Sequence, residues 1–295
     1  MIKTNVEQLV ETAVMGRIAH PRVDANDLKT AADGTSFVPV GAGGIAFNVK
    51  IGDLAGGWAG GDHVEPGVAV RNPDPQENAG LATYSCIGNE AVVTEAVFDG
   101  KDVKLKGAAG VVTGKHRTGD RVLVYFPRRV VDRLCVVDRI QIRAAGAGLR
   151  LTDYPDVAVL NMGPRLLRAL NPSEKNGKVR IPVAKVIPGK LIGAGLGAGH
   201  PQAGGCDIQT SSPDAVKEFT LDQVRLGDLV AITDHDAGHG HRWQPGAVTI
   251  GIVCHGTSRF AGHGLGVNAI LSSARGTLEP IFTRKANLAE LLGLA

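Results

Sequence analysis

Glycine is unusually frequent along this chain, which limits the kinds of fold that it can adopt. There are 40 glycines in 295 residues, against a usual share of about 7%. They follow no collagen period and lie between short runs rich in β-branched residues. Short strands joined by frequent tight turns are typical of β-rich folds. We therefore predict a mainly β protein made of several small barrel-like or sandwich-like subdomains, with a few short helices.

The apolar spacing predicts where the main elements lie. A capping-box pattern and helical spacing predict a first helix over residues 6–15, and further short helices are predicted at 164–170, 213–219 and 286–294. Segments 36–40 and 45–51 flank a glycine-rich turn and predict a hairpin. Other strands are predicted at 91–97, 103–105, 110–113, 121–126, 139–143, 179–186, 229–233 and 247–253.

Three subdomains follow from this pattern. Residues 1–100 are predicted to form an N-terminal helix plus a β subdomain, and residues 101–172 a small barrel-like β subdomain. Residues 173–295 are predicted to form a C-terminal β subdomain that carries histidine-rich loops. The polar segment 173–178 is the best linker candidate, with a surface loop as the alternative.

Composition argues against several classes of protein. The net charge is only +3 and aromatic residues make up 4%, which is unlike a nucleic-acid binder with basic and stacking surfaces. Apolar runs are far shorter than the ~20 residues of a membrane span. The start of the chain has no apolar signal core, and the cysteines form no CxxC pair. We expect a cytoplasmic protein with reduced thiols and a small-molecule partner.

Histidines concentrate in one part of the sequence. Five of the nine lie between residues 235 and 263, interleaved with aspartates and glycines. Imidazoles with nearby carboxylates are typical of metal sites. We predict a divalent-metal site, of unspecified metal, with Asp236, His255 and His263 as ligands, Asp207 as a fourth, and Asp234 orienting one imidazole. The alternative is a solvated loop together with one packed core histidine.

A second polar segment contains His63 and Glu65. Two residues apart on a strand, these side chains would share one face, and a glutamate beside a histidine suits general acid–base chemistry. We predict that one of them moves a proton, and that both lie in the same pocket as His255 and His263. The alternative is a polar turn at a strand entry.

Two further segments contain patterns that can be associated with function. Cys206 follows paired glycines, and a nucleophile there would need a thiol pKa lowered by a neighbouring base or a helix N-terminus. Residues 193–199 resemble a dinucleotide loop, yet the Pro201 that soon follows is incompatible with the helix such a loop must open. Because the apolar run 187–199 would be a poor solvent-facing loop, we predict a homo-oligomer with this run beside a subunit contact. Burial within its own domain is the alternative.

Several separate motifs resemble those of a known family. They are Asp-His-Val-Glu-Pro-Gly-Val at 62–68, Asp-Tyr-Pro-Asp-Val at 153–157, Asp-Ile-Gln-Thr at 207–210, Gly-Ala-Val-Thr-Ile-Gly at 246–251 and Gly-His-Gly at 262–264. Together they resemble the prokaryotic family catalogued as domain of unknown function 4438, over nearly the whole chain. One departure is Leu265, where the family pattern has proline. The resemblance implies a mainly β protein of several small subdomains, and it implies no activity.

The expected function is a metal-dependent hydrolase acting on an amide or other C–N bond in a small molecule. A fainter likeness of the C-terminal half, to formamidase- and acetamidase-type hydrolases with metal ligands on glycine-rich β loops, favours this reaction class. A bound metal ion would polarise the carbonyl and lower the pKa of a water molecule. The rival hypothesis is a non-enzymatic small-ligand-binding or assembly protein whose histidines are incidental.

Overall fold

Short β-strands joined by tight turns form most of the protein, as predicted. The structure is a computed structural model that describes residues 2–21, 28–98, 104–116, 120–202 and 204–294. In these ranges the helices are few, and the longest has ten residues. Within them, no helix is both long and apolar enough to cross a membrane.

A closed barrel is built from the first half of the chain. Its strands run in the order β1–β9–β6–β7–β8–β5, and β5 pairs back onto β1 to close the ring, while β4 extends β5 on one side. The strands of this half are β1 (Thr12–Ile18), β2 (Lys29–Thr30), β3 (Ser36–Phe37), β4 (Ile45–Ala46), β5 (Gly67–Arg71), β6 (Glu90–Glu95), β7 (Ala109–His116), β8 (Arg121–Tyr125) and β9 (Arg139–Ala144). Closure leaves the ring without open edges.

The second half forms an open sheet with the order β10–β17–β16–β15–β13, in which β14 lies alongside β17. A smaller sheet has the order β11–β12–β18. These strands are β10 (Val157–Val159), β11 (Ser173–Lys175), β12 (Lys178–Val183), β13 (Lys185–Pro188), β14 (Cys206–Gln209), β15 (Leu229–Asp236), β16 (Arg242–His255), β17 (Gly264–Ser273) and β18 (Leu278–Phe282).

Proline and capping residues start the short helices. The helices are α1 (Pro75–Tyr84), α2 (Arg128–Val131), α3 (Pro164–Leu170), α4 (Pro213–Glu218) and α5 (Leu288–Leu292), with 3-10 turns at Val6–Gln8, Gly189–Leu191 and Leu221–Gln223. At α1, the Asp74 side chain accepts hydrogen bonds from the backbone N–H groups of Gln76 and Glu77, and Pro75 occupies the first turn. This helix was missed in the sequence, although an aspartate–proline pair is a good start signal.

The structure corrects several of the predicted elements. The predicted helix over 6–15 is a single 3-10 turn followed by β1, because residues 12–17 pair with β9 in one continuous ladder and tertiary pairing outweighs local spacing. The predicted hairpin of 36–40 with 45–51 is absent, since β3 pairs with β2 and β4 with β5. The linker candidate 173–178 is instead the β11–β12 hairpin. The strand predicted at 103–105 lies partly outside the described residues.

The predicted subdomain boundaries also shift. Strands β6 and β7 pair across the boundary at 100/101, so that boundary falls inside one barrel. Strand β10 pairs with β17, so residues 157–159 join the C-terminal sheet rather than the predicted middle subdomain.

The barrel and the C-terminal sheet meet along β7. The side-chain oxygen of Asn268 on β17 accepts a hydrogen bond from the Lys115 N–H at 2.7 Å, and its amide nitrogen donates to the Lys115 carbonyl at 3.0 Å. Gly114 lies so close that a Cβ there would be 2.6 Å from Cys254 Cβ. This junction delivers residues of both halves to one site.

Candidate functional site

Five side chains converge where strands of the two halves end. His63 lies in the loop before β5 and His116 ends β7 of the barrel. Asp207 lies on β14, His255 ends β16, and His263 directly precedes β17. The predicted proximity of His63 to His255 and His263 is found. His116 was missed, because one histidine at the end of an ordinary strand is not a distinctive sequence pattern.

Three of these side chains form a compact set of ligand atoms. His63 Nε2 lies 3.2 Å from His263 Nδ1 and 3.5 Å from Asp207 Oδ2. The distance from His263 Nδ1 to Asp207 Oδ2 is 3.2 Å. A tetrahedral ion with bonds of about 2.0–2.1 Å would hold its ligand atoms about 3.3–3.4 Å apart. The triangle therefore has the dimensions of one face of a metal coordination sphere.

The His63 ring is held in place by a buried carboxylate. Its Nδ1 donates to Asp62 Oδ2 at 2.5 Å, and Asp62 Oδ1 in turn accepts from Ser258 Oγ and Arg259 N. This arrangement directs His63 Nε2 towards Asp207 and His263, as a carboxylate behind a metal-binding histidine does. The backbone of His63 has a φ of +50°, a costly conformation for a residue other than glycine.

The charges around His63 favour a cation between the two carboxylates. Burial lowers the pKa of His63, but its hydrogen bonds and ionic interactions with Asp207 and Asp62 outweigh burial and raise the pKa to about 9. Burial opposes ionisation of Asp207, yet the surrounding histidines hold its pKa well below the usual range. The site thus attracts positive charge, which a proton or a metal ion can supply.

His255 presents a neutral imidazole to the same group. Its Nδ1 donates to the Gly256 carbonyl at 3.1 Å, and its Nε2 lies 3.7 Å from Asp207 Oδ1. Burial, followed by the charge of His116, lowers its pKa to about 3. A Cβ at Gly266 would lie 2.0 Å from His255 Nε2, so the ring fits only because residue 266 is glycine. His255 can therefore add a further nitrogen ligand.

Glu65 is an orienting residue here, and its geometry argues against the predicted role in proton transfer. One carboxylate oxygen accepts from His116 Nδ1 and from Arg121, and the other accepts from the Gly43 N–H. Burial raises the pKa of Glu65, but His116 and Arg121 bring it down to about 2. The His116 ring that Glu65 holds packs against His255, with 4.3 Å between ring centroids.

A cavity of about 560 Å³ adjoins the cluster and shares Asp207, His116 and His255 with it. The wall opposite is the glycine-rich segment 194–198. Lys115 also lines the cavity, and its Nζ donates to Asn161 Oδ1 at 2.8 Å and to the Gln202 carbonyl. Burial lowers the pKa of Lys115 to about 8. The cavity is therefore lined both by residues of the ligand cluster and by a lysine whose amine has a pKa of about 8.

The predicted roles of Asp236 and Asp234 are not supported by their contacts. Asp236 Oδ1 accepts from Ser272 Oγ and Oδ2 from Arg242 Nε, so both oxygens are engaged away from His255 and His263. Adjacent residues on a strand point to opposite faces, so the Asp236 side chain, which is also buried, lies on the other face of β15 from His235. Asp234 Oδ1 accepts from the Gly246 N–H and serves a turn rather than an imidazole.

The other predicted features are placed as follows. Cys206 is buried and burial raises its thiol pKa to about 12, which opposes a nucleophilic role. All four cysteines are free.

In the apolar run 187–199, Ile187 and Ile192 are buried in the core, whereas Leu196 at the cavity wall is 47% exposed. The run is thus mostly buried in its first half and half-buried or exposed from residue 193 to 199, and a subunit contact at Leu196 stays a prediction.

Comparison with known proteins places the chain in a family. Residues 28–168 match the N-terminal model and residues 169–292 the C-terminal model of a domain of unknown function, DUF4438. The fold is also similar to the crystal structure of TM1086, with 41% sequence identity, 98% of each chain covered and a TM-score of 0.91. No curated protein matches. Because the two family models together span most of its length, the chain belongs to the DUF4438 family.

Proposed function

We propose that His63, Asp207 and His263 bind one divalent metal ion, with His255 beside them, and that the protein is a metal-dependent hydrolase of an amide or other C–N bond in a small molecule. The observation that carries this proposal is the triangle of ligand atoms, 3.2–3.5 Å apart, beside a cavity that Asp207 also lines. Two imidazoles and one carboxylate are a ligand set that leaves coordination positions open for water and substrate.

Different residues of the chain would have different roles in such a reaction. A bound divalent ion would polarise the substrate carbonyl and lower the pKa of a water molecule. Asp62 and the Gly256 carbonyl fix the imidazoles of His63 and His255, so the ligands need little reorganisation. The water loses a proton to solvent, its oxygen adds to the carbonyl carbon, the C–N bond breaks, and the leaving nitrogen gains a proton from a protein group that solvent then reprotonates.

Lys115 is the proposed source of that proton. It lies in the cavity wall with its amine held by Asn161 and Gln202. A pKa of about 8 lets it carry a proton at neutral pH and release it readily. This assignment replaces Glu65, whose oxygens are committed to Arg121 and His116.

The test combines metal content with activity. Untagged protein is analysed for bound metal and then assayed with Zn²⁺, Mn²⁺ or Fe²⁺ against a panel of small amides, with ammonia or amine release as the readout. Asp207→Asn should lose the ion of this cluster and any metal-dependent hydrolysis. Asp222→Asn, at an exposed aspartate, is the matched control and should retain both.

Two outcomes would contradict the proposal. Equal metal content in Asp207→Asn and the parent protein would show that Asp207 does not hold a metal ion. A bound ion with no amide turnover, but with saturable binding of a small molecule, would favour the rival hypothesis of a ligand-binding protein.

A further inference from the structure

A second group of metal-binding side chains lies behind the first. Cys206, His235 and His241 are each at most 1% exposed. One ligand atom from each lies within 4.8 Å of the other two. None of the three takes part in the proposed reaction. Cys206 directly precedes Asp207 on β14, and adjacent strand residues point to opposite faces. The two groups therefore lie on opposite faces of one strand.

The spacing of the two imidazoles suits a shared ion. His235 Nε2 lies 3.3 Å from His241 Nδ1, which is close to the separation of about 3.3–3.4 Å for two nitrogens on a tetrahedral ion. Their rings are nearly parallel, 16° apart, with centroids separated by 5.3 Å. A thiol completes the set, and sulfur with two imidazoles is a donor combination that selects zinc-like ions over magnesium or calcium.

The protein alone leaves this group incompletely satisfied. His235 is fully buried, and its Nδ1 has no hydrogen-bond partner among the described residues. Buried polar atoms are nearly always paired, and an exception calls for a missing ion or water. The other ring nitrogen of His235, Nε2, faces His241 Nδ1 at 3.3 Å within the same group. The unpaired Nδ1 is not the nitrogen that faces His241, so it needs a partner of its own, and a shared ion is supported by the spacing of His235 Nε2 and His241 Nδ1.

The surrounding backbone is folded tightly onto the group. His241 exchanges two backbone hydrogen bonds with the segment that walls the cavity, from its N–H to the Ala198 carbonyl and from the Gly197 N–H to its own carbonyl. In the same segment, a Cβ at Gly195 would lie 2.8 Å from Cys206 Cα. An ion held here would tie that segment to β14 and β15.

We propose that Cys206, His235 and His241 form a second, sulfur-containing site for a zinc-like divalent cation, which fixes the cavity wall and is distinct from the site of Asp207. With the thiol ionised on binding, the three protein ligands carry one negative charge and leave one position of a tetrahedral ion to a water. The inference does not depend on the hydrolase assignment, because it concerns a different group of ligands.

Cobalt distinguishes the two sites, since only a thiolate ligand gives sulfur-to-cobalt charge-transfer absorption in the near ultraviolet. Untagged protein is produced in cobalt-supplemented medium, and its spectrum and metal content are measured. The parent protein should show this absorption and two ions per chain. Cys206→Ser should lose the absorption and one ion. Cys254→Ser, which removes another buried thiol, is the matched control and should keep both.

The experiment distinguishes the absence of an ion at Cys206 from the absence of an ion at Asp207. Asp207→Asn should keep the sulfur absorption while losing the other ion, so loss of the first site leaves this inference intact. X-ray absorption of the zinc-loaded parent protein needs no variant and should show a sulfur neighbour at about 2.3 Å. Absorption retained in Cys206→Ser, or a zinc shell of nitrogen and oxygen only, would overturn the proposal.

Discussion

Three imidazoles at the candidate site each have the nitrogen remote from the cluster held by an acceptor. His63 is held by Asp62, His116 by Glu65, and His255 by the carbonyl of Gly256. Such contacts fix which nitrogen carries the proton and leave the other available as a ligand or acceptor. A packed core histidine needs one partner, but several rings that are each fixed in this way around one cluster point to a shared occupant.

The first prediction concerns Asp62, which touches the His63 ring on the side away from the cluster. Asp62→Asn should weaken Zn²⁺ binding at the Asp207 site by about 10–100-fold, because the orienting carboxylate is lost while the ligands remain. Competition titration against a chelating dye measures the affinity. Asp222→Asn serves again as the control, and an affinity of Asp62→Asn equal to the control would contradict the orienting role.

The second prediction concerns Lys115. Lys115→Met should reduce metal-dependent hydrolysis by about 10²–10⁴-fold, the usual contribution of a positioned proton donor, and leave metal content unchanged. Lys104→Met, at an exposed lysine, should have no effect.

The pKa of Lys115 also predicts the direction in which the hydrolysis rate changes with pH. Burial, opposed by the nearby Cys86 thiol, lowers the pKa of Lys115 to about 8. The proton is therefore present below pH 8 and lost above it, so the rate should fall as pH rises through about 8. Lys115→Met should lack this descending limb. The same limb in both proteins would assign proton transfer elsewhere.

At the scale of elements, the site depends on how closely strands approach one another. Asp207 is brought to His263 by the pairing of β14 with β17, in which Gln209 lies opposite Gly264. A Cβ at Gly264 would lie 1.8 Å from the Ile208 carbonyl oxygen. Only glycine allows the two backbones to approach this closely. Glycines in this chain therefore permit close contact between strands as well as tight turns.

The third prediction tests this approach. Gly264→Ala should lower the free energy of unfolding by about 1–3 kcal/mol, because a methyl group forces the strands apart. Urea unfolding measures the change. Gly199→Ala is the matched control, since a Cβ there meets no atom within 4 Å, and it should differ little from the parent. Equal free energies of unfolding for the two variants would show that β14 and β17 can move apart without loss of stability.

Sequence patterns predicted elements whose signals are local. Helices α3 and α4 begin at prolines, and the strands β15 and β16 are apolar runs, so these were found. The helix predicted over β1 is wrong, because β1 pairs with β9, more than a hundred residues away along the chain. No local pattern records such a partner.

The same distinction applies to the site. Asp207, His255 and His263 were predicted from residue type and glycine context, and the structure brings them together with His63. Asp236 was included because it lies among histidines, but strand alternation directs it to Arg242 and Ser272. Lys115 and His116 were missed, because their role comes only from the contact between the barrel and the C-terminal sheet.

At the scale of the whole molecule, that contact joins two halves that each supply part of the site. The barrel contributes Lys115 and His116, and the sheet contributes Asp207 and His255. The side chain of Asn268 bridges them by bonding to both backbone groups of Lys115. Neither half contains the complete group of residues, so the site exists only when the halves are docked.

The fourth prediction tests this docking. Asn268→Ala leaves the buried Lys115 N–H without this partner and its carbonyl with the weaker Cys254 thiol contact, and it should cost about 1–3 kcal/mol. Thermal unfolding should show a clearly lower Tm than for Asn48→Ala, at an exposed asparagine. Unchanged Tm in Asn268→Ala would mean that the halves are held together by other contacts.

The central claim is that a divalent ion binds between His63, Asp207 and His263. Anomalous X-ray diffraction from crystals of untagged, zinc-loaded protein, recorded on both sides of the zinc absorption edge, tests it most directly. We expect an anomalous peak about 2.0–2.2 Å from His63 Nε2, His263 Nδ1 and an Asp207 oxygen. Zinc-loaded crystals with no peak at these three atoms would contradict it.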